Sequence, residues 1–489
     1  MVYQQVAIIG AGLAGVCMAI ELKRSRMDSF TVFEKFDDVG GVWRDNTYPG
    51  AGCDLVAPLY AYSFERYGDW THNYARQPEV LQYVRHCAQR NAIGPHIRFR
   101  TEITHADFDA VAGLWRLRSA DGEEHTAQVL ISAVGQLNRP NRPELPGAEE
   151  FAGTTFHSAR WNHDHDLSGR SVAVIGNGCS AVQFVPRIAS EVGQLHVFQR
   201  SPKWIIPKFD RAFTRPTKWL YKHLPLAQRM SRAIWFLMAE TIAYSPIHRG
   251  LLARGITAVA RWHLRRQVPD PELRAKLKPD FAFGCNRMIL SSDYYPALTR
   301  DNVQLVTDPI TRITPYGVQT ADGRQHDVDT IIYATGFHST QFLAPIEITG
   351  PGGHLRDRWQ DGASAYLGMA VPGFPNMFVL YGPNTSSANN SVIYMLESQV
   401  RYVLRCLDVL GPDRSMDVTE SAQQEFTEFL SAHMATTVWN GACRSWYKTP
   451  SGKVTGLWPL RASAYRRATQ RPDLHHFRIT ARNPLLAGR

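Results

Sequence analysis

The chain has 489 residues, 44% of them hydrophobic and 20% charged, and a formal net charge of +10. These are the proportions of an ordinary globular protein of two or three domains. No apolar run reaches the roughly 18 residues that span a bilayer, and no basic leader precedes the first apolar segment, so a cytoplasmic protein with no nucleic-acid partner is expected.

The positive charge is local. Fifteen Lys and Arg face four Asp and Glu between Lys208 and Lys278, while the rest of the chain is close to neutral. Seven cysteines stand at 17, 53, 87, 179, 285, 406 and 443. The odd count and the lack of C-x-x-C spacing argue against a disulfide framework or a structural zinc site. Reduced, mostly buried thiols and no metal site are expected.

Residues 6–9, Val-Ala-Ile-Ile, read as a buried parallel strand. They run into Gly10-Ala-Gly12-Leu-Ala-Gly15, then an apolar helix, then a second strand (31–33) that ends at Glu34. The first glycine permits the tight turn, the second lets the backbone approach a pyrophosphate, and the third lets helix and strand pack closely. The helix N-terminus adds N–H donors for the phosphates.

The pattern recurs. Strand 172–175 runs into Gly176-Asn-Gly178-Cys-Ser180-Ala181, and strand 195–198 leads to Arg200. Glu34 lies 24 residues past Gly10, and Arg200 lies 24 residues past Gly176. A carboxylate at this position accepts hydrogen bonds from free ribose hydroxyls and repels a 2′-phosphate, whereas a guanidinium binds one. The first turn should therefore take FAD and the second NADPH.

Between the turns lie Gly40-Gly41-Val-Trp43 and Tyr48-Pro49-Gly50, ending at Asp54. Glycines here would let the chain lie close to a flat ring system, with Trp43 beside it. A hairpin is expected about Asp121-Gly122, and a further buried strand at 129–135. The proline-rich 138–146 reads as a linker out of the first domain. His157 and Trp161, four apart, read by themselves as packing residues. The basic stretch 206–280 reads as helices carrying Trp219, Trp235, Phe236 and Trp262; it fits a substrate lid, a membrane-surface contact through 208–278, or a solvated insert. Beyond it come the loop Phe283-Gly284-Cys285-Asn286-Arg287, the strand 328–333 ending in Ala334-Thr335-Gly336, and a helix over about 391–410.

Three of these stretches resemble signatures of the flavin-dependent Baeyer–Villiger monooxygenases. Phe151-x-Gly153-x-x-x-His157-x-x-x-Trp161 is similar to the family fingerprint, with Asn162 where Pro or Asp is usual. The segment from Gly40 to Asp54 matches a second signature at every fixed position. Gly284-Cys285-Asn286-Arg287 resembles a third, with Asn286 replacing a lysine that helps to bind the NADPH 2′-phosphate. The C-terminal Trp446-Tyr447 and Trp458-Pro459 resemble the family's end, with Leu460 in place of a glycine.

The resemblance implies an α/β fold of two Rossmann-like dinucleotide-binding domains with a helical insertion. FAD would be held by 1–140 and 334–489, and NADPH by 150–207 and 281–333, with 208–280 inserted. It implies oxygen insertion from O2 into a lipophilic ketone through a flavin 4a-peroxide, giving an ester or lactone. Arg287 would be the catalytic cation, and Asp54 would position it. His157 and Trp161 would couple domain movement to NADPH binding. Oxygenation of sulfur or nitrogen is the neighbouring reading. A reductase without oxygen transfer is disfavoured by the lone Cys53, since flavin disulfide reductases need two close cysteines.

Overall fold

The computed structural model describes residues 2–388, 390–441, 443 and 445–481. Two sheets organise it. The strand Val2–Ile9 pairs in parallel with Phe30–Phe33 on one side and Glu124–Ser132 on the other. Val6, Ala7 and Ile8 are fully buried. A parallel central strand is covered on both faces, which is why this run is continuously apolar rather than alternating. Full burial of a side chain such as Val6 or Ile8 contributes about 1.5–3 kcal/mol. The helix Leu13–Arg24 packs on this sheet through Val16, Ile20 and Leu22.

The same sheet continues antiparallel through Leu114–Ser119 and Ile103–Asp109, with the expected turn at Gly122 taking φ +87°. Residues far along the chain complete it. Met377–Val379 joins Glu124–Ser132, and Glu347–Gly350 joins Ile103–Asp109. Trp115, buried in the layer beneath, donates its indole N–H to the Pro375 carbonyl at 2.9 Å. The helix Val392–Leu410 lies across the Leu13–Arg24 helix, started by a Ser391 hydroxyl that accepts from Tyr394 N–H.

The second sheet has five parallel strands in the order Val303–Val306, Gln194–Phe198, Ser171–Ile175, Thr330–Tyr333 and Thr154–His157. The helix Cys179–Ile188 covers one face with Ala181, Val182, Phe184 and Val185. A three-stranded antiparallel sheet spanning 310–327 lies against the other through Ile313 and Val318.

The chain crosses between the two bodies near 139–141 and again near 335–338, and these crossings run side by side. Asn141 N–H donates to the Gly336 carbonyl at 2.9 Å, and His338 N–H to the Arg139 carbonyl at 3.0 Å. The Thr335 hydroxyl donates to the Asn141 carbonyl.

The basic stretch is helical, as Arg215–His223, Pro225–Met238, a π-turn at Ala239–Ala243, Leu251–Gln267 and Pro271–Lys276. Prolines in the first turns of three of these lose nothing by lacking an N–H there. No helix among the described residues is long and apolar enough to cross a membrane.

One expectation from composition is corrected. Cys285 and Cys443 form a disulfide, with Cα atoms 6.5 Å apart. Their separation of 158 residues hides the pairing from any spacing rule. The other five cysteines are free, and Cys179 alone among them is not buried.

Candidate active site

One cavity of about 2930 Å³ lies between the two bodies and reaches both glycine turns. Small-molecule pockets are commonly about 300–1,000 Å³, so this space exceeds what a single compact substrate needs. Gly10, Gly12, Glu34, Gly41, Trp43, Asp54, Gly176, Gly178, Ser180, Arg200, Arg287, Thr335 and Gly336 all line it. Gly15 does not. It lies beneath the first turn, where a Cβ would meet the Gly10 carbonyl oxygen at 1.9 Å, so helix and strand can pack only around a glycine.

The turns fit a dinucleotide by their shape. Gly10 and Gly176 have φ of +100° and +109°, and a Cβ on Gly176 would strike the Ala334 carbonyl at 2.4 Å. A Cβ on Gly178 would meet nothing within 4 Å, which leaves a clear approach to the helix N-terminus behind it. Glu34 is buried at the end of its strand. One carboxylate oxygen accepts from Ala11 N–H at 2.8 Å, and the other takes Phe36 N–H and the Arg44 guanidinium at 3.1 Å each.

Arg200 is exposed to the cavity at the matching position of the second unit. Lys203, three residues on, has its pKa lowered by burial and then by the charge of Arg200. Among the described residues neither cation pairs with a carboxylate. Two like charges without a counter-ion give this part of the cavity wall a positive potential.

Asp54 and Arg287 meet although 233 positions separate them in sequence. An Arg287 guanidinium nitrogen lies 3.8 Å from Asp54 Oδ2, and Lys208 Nζ lies 3.8 Å from Asp54 Oδ1. Gln183 donates to the same Oδ1 at 3.3 Å. Arg287 retains 47% of its side-chain exposure, and that surface belongs to the cavity wall. Burial favours loss of its proton, but Cys179, Tyr447, Asp54 and Tyr381 outweigh this, and its pKa is raised. It is a permanent cation on the wall of the cavity. Trp43 stands nearby, its indole N–H bonded to the Tyr60 hydroxyl at 3.1 Å.

Two relatives cover almost the whole chain. A Baeyer–Villiger monooxygenase of Pseudomonas aeruginosa is 39% identical over 99% of this chain and 92% of its own length. The chain belongs to the Baeyer–Villiger monooxygenase family. A second member, from Streptomyces coelicolor, is 37% identical over 99% of this chain and 94% of its own. The family profile described as flavin-binding monooxygenase-like matches residues 3–223. Among solved structures, an oxidised steroid monooxygenase bound to NADP superposes with a TM-score of 0.86 at 31% identity, covering 98% of this chain and 99% of that one. The closed form of cyclohexanone monooxygenase gives 0.87 at 27% identity, covering 98% and 100%.

Within this Baeyer–Villiger fold the fingerprint lies at the joint. His157 ends the edge strand of the second sheet, and its ring lies 5.9 Å from that of Phe337 on the return crossing. Trp161 packs its ring 5.2 Å from both Phe156 and Phe184. Asn162 accepts the Asp164 N–H at 3.2 Å, a local turn that proline could not serve in this way. Asn286 is buried. The C-terminal aromatics divide. Tyr447 and Trp458 are core, while Trp446 lines the cavity.

Sequence reasoning missed Gln183, Lys203 and Lys208. Lys208 carried the only available signal, as the first residue of the basic run, but a run of charge does not tell which member turns inward. The insertion also supplies an apolar wall of the cavity through Trp235, Met238 and Ile242.

Proposed function

We propose that this chain is an FAD-dependent, NADPH-driven monooxygenase that inserts one oxygen atom of O2 into a lipophilic ketone, giving an ester or lactone. The observation that carries the reading is the single cavity: it joins a turn closed by a carboxylate, a turn closed by two unpaired cations, and the Asp54–Arg287 pair. FAD would be held by the first turn, Glu34, Gly41, Trp43 and the Thr335-Gly336 crossing. NADPH would be held by Gly176, Gly178, Ser180 and Arg200, with Lys203 as a second cation for the 2′-phosphate in place of the lysine that Asn286 replaces. Residues 1–140 and 334–489 would form the first unit, and 150–207 with 281–333 the second.

Bound FAD, with NADPH as the reductant, would supply the electrons that activate O2. The chain supplies charge and position. Arg287 stabilises negative charge on the reacting oxygens, as a preorganised donor on the cavity wall. Asp54 orients Arg287 and keeps the cation from turning elsewhere. Lys208 and Gln183 hold Asp54 in turn. Trp235, Met238 and Ile242 give the cavity an apolar wall, which supports a lipophilic substrate.

The test is product analysis with purified, flavin-loaded enzyme, NADPH, one cyclic ketone and one sulfide. Lactone with one O2 consumed per NADPH is expected. Sulfoxide without lactone would move the reading to heteroatom oxygenation. NADPH oxidation with equivalent hydrogen peroxide and no oxygenated product would overturn it.

A further inference from the structure

The helix Pro225–Met238 has two distinct faces. Its inner face is fastened to the first body. Gln228 donates to the Tyr67 carbonyl at 2.8 Å, Arg232 donates to the Pro58 carbonyl at 3.1 Å, and the Phe236 ring lies 4.7 Å from that of Tyr394. Its outer face is apolar and open. Leu226, Met230, Ile234 and Leu237 recur at helical spacing, at 66%, 56%, 55% and 61% exposure. Trp219, on the helix that packs beside it, and Leu224, in the turn between them, are exposed as well, at 56% and 46%. Isolated exposed apolar residues are ordinary; a row of them along one helix face marks a surface that something covers.

The charge says what. From 211 to 269 the chain carries eleven Lys and Arg and one acid, Glu240. That acid is buried, accepting from Asn390 at 2.8 Å and Ala462 N–H at 2.9 Å. Around the stripe, Arg215, Lys218 and Arg229 have no acidic partner among the described residues, and only Lys222 approaches one, Asp69, at 3.8 Å. The helix Leu251–Gln267 repeats the composition, with Leu251 88% and Trp262 52% exposed among Arg254, Arg261, Arg265 and Arg266.

We infer that the outer face of this insertion docks on an anionic lipid surface, its apolar stripe set into the headgroup boundary and its cations against the lipid charge. Apolar residues flanked by Lys and Arg, without acids, form the pattern of a helix lying in such an interface. A second copy of the chain fits worse. A two-fold contact would set this patch against itself, largely cation against cation, with Asp69 beside Lys222 as a nearby acid. The inference does not rest on the oxygenation chemistry, although the inner side of the same helix lines the cavity that would receive an apolar substrate.

The experiment is flotation of the flavin-loaded protein with vesicles of phosphatidylcholine alone or mixed with phosphatidylglycerol. The protein is expected to float with the mixed vesicles at low salt, to stay down with phosphatidylcholine alone, and to be released as screening shortens from ~30 Å at 0.01 M to ~3 Å at 1 M. Two triple variants are compared: L226S with I234S and L237S, and R215Q with K218Q and R229Q. Each should bind mixed vesicles at least about tenfold more weakly while keeping its flavin absorbance and elution volume. If the apolar variant does not fold, the charge variant still decides. No flotation of the native protein, or unchanged flotation of the variants, overturns the inference. So does a native dimer that the apolar variant turns into a monomer, since that assigns the patch to a second copy.

Discussion

Gln183, on a helix of the second body, holds Asp54 of the first: its amide nitrogen donates to Asp54 Oδ1 at 3.3 Å and to the Gly52 carbonyl at 3.0 Å. Its amide oxygen accepts from the Tyr48 hydroxyl at 3.0 Å. One side chain therefore clamps both ends of the Tyr48–Asp54 loop and ties it to the unit assigned to NADPH. Gln183→Ala should leave FAD bound and slow flavin reduction by NADPH, by ~10–100-fold if Asp54 shifts by about an ångström. Anaerobic stopped-flow absorbance gives that rate. An unchanged rate would mean that the clamp is only structural.

Arg287→Ala removes a fixed positive charge from the cavity. Loss of one preorganised donor typically costs ~100–1,000-fold in turnover. Lactone formation should fall by that order while NADPH oxidation continues with release of hydrogen peroxide. Arg287→Lys keeps the charge but not the planar fork, and should recover part of the yield. A full lactone yield from the alanine variant would remove Arg287 from the chemistry.

Arg200 and Lys203 together should set the choice of reductant. A hydrogen bond to a charged group is worth about 1.5–3 kcal/mol, so Arg200→Gln should raise KM for NADPH by ~10–100-fold and leave KM for NADH nearly unchanged. Lys203→Ala should act in the same direction. If Lys203→Ala changes both cofactors alike, Lys203 is not reading the 2′-phosphate.

His157 should make the joint acid-sensitive. Burial, with Arg142 adding to it, lowers its pKa from 6.5 to about 4. The unfolded chain then binds more protons than the folded one between these values, so stability rises with pH across that window. Lowering the pH from about 6.5 to about 4 should cost at most ~3 kcal/mol through this group. Denaturation midpoints of the native protein and His157→Gln should converge toward pH 4 from a larger gap at neutral pH.

Much of this was legible because it is local. A turn that needs positive φ announces itself as glycine, and a strand buried on both faces announces itself as Val-Ala-Ile-Ile. The charge that closes each unit follows at a fixed interval, so Glu34 and Arg200 could be compared before any coordinates. Partners brought together only by folding were not legible. Gln183 reaches Asp54 across 129 positions, and Cys285 reaches Cys443 across 158. Nothing in the run around Lys208 distinguishes a lysine that turns toward Asp54 from those that stay in solvent. The odd cysteine count pointed the wrong way, because it describes the whole set and says nothing about one pair.

The two adjacent crossings have a mechanical consequence. Chains bonded to each other at Asn141–Gly336 and Arg139–His338 pass through the joint as one two-stranded ribbon rather than as two separate tethers. The Cys285–Cys443 disulfide, between the segments 281–333 and 334–489, is a third and covalent tie, so these crossings are not a free hinge. The insertion adds a further tie, since Arg232 is fastened to the first body while His263 bonds the Ser291 carbonyl at 2.9 Å on the second. The wall of the cavity is thus tied across the joint at several separate places, one of them covalent.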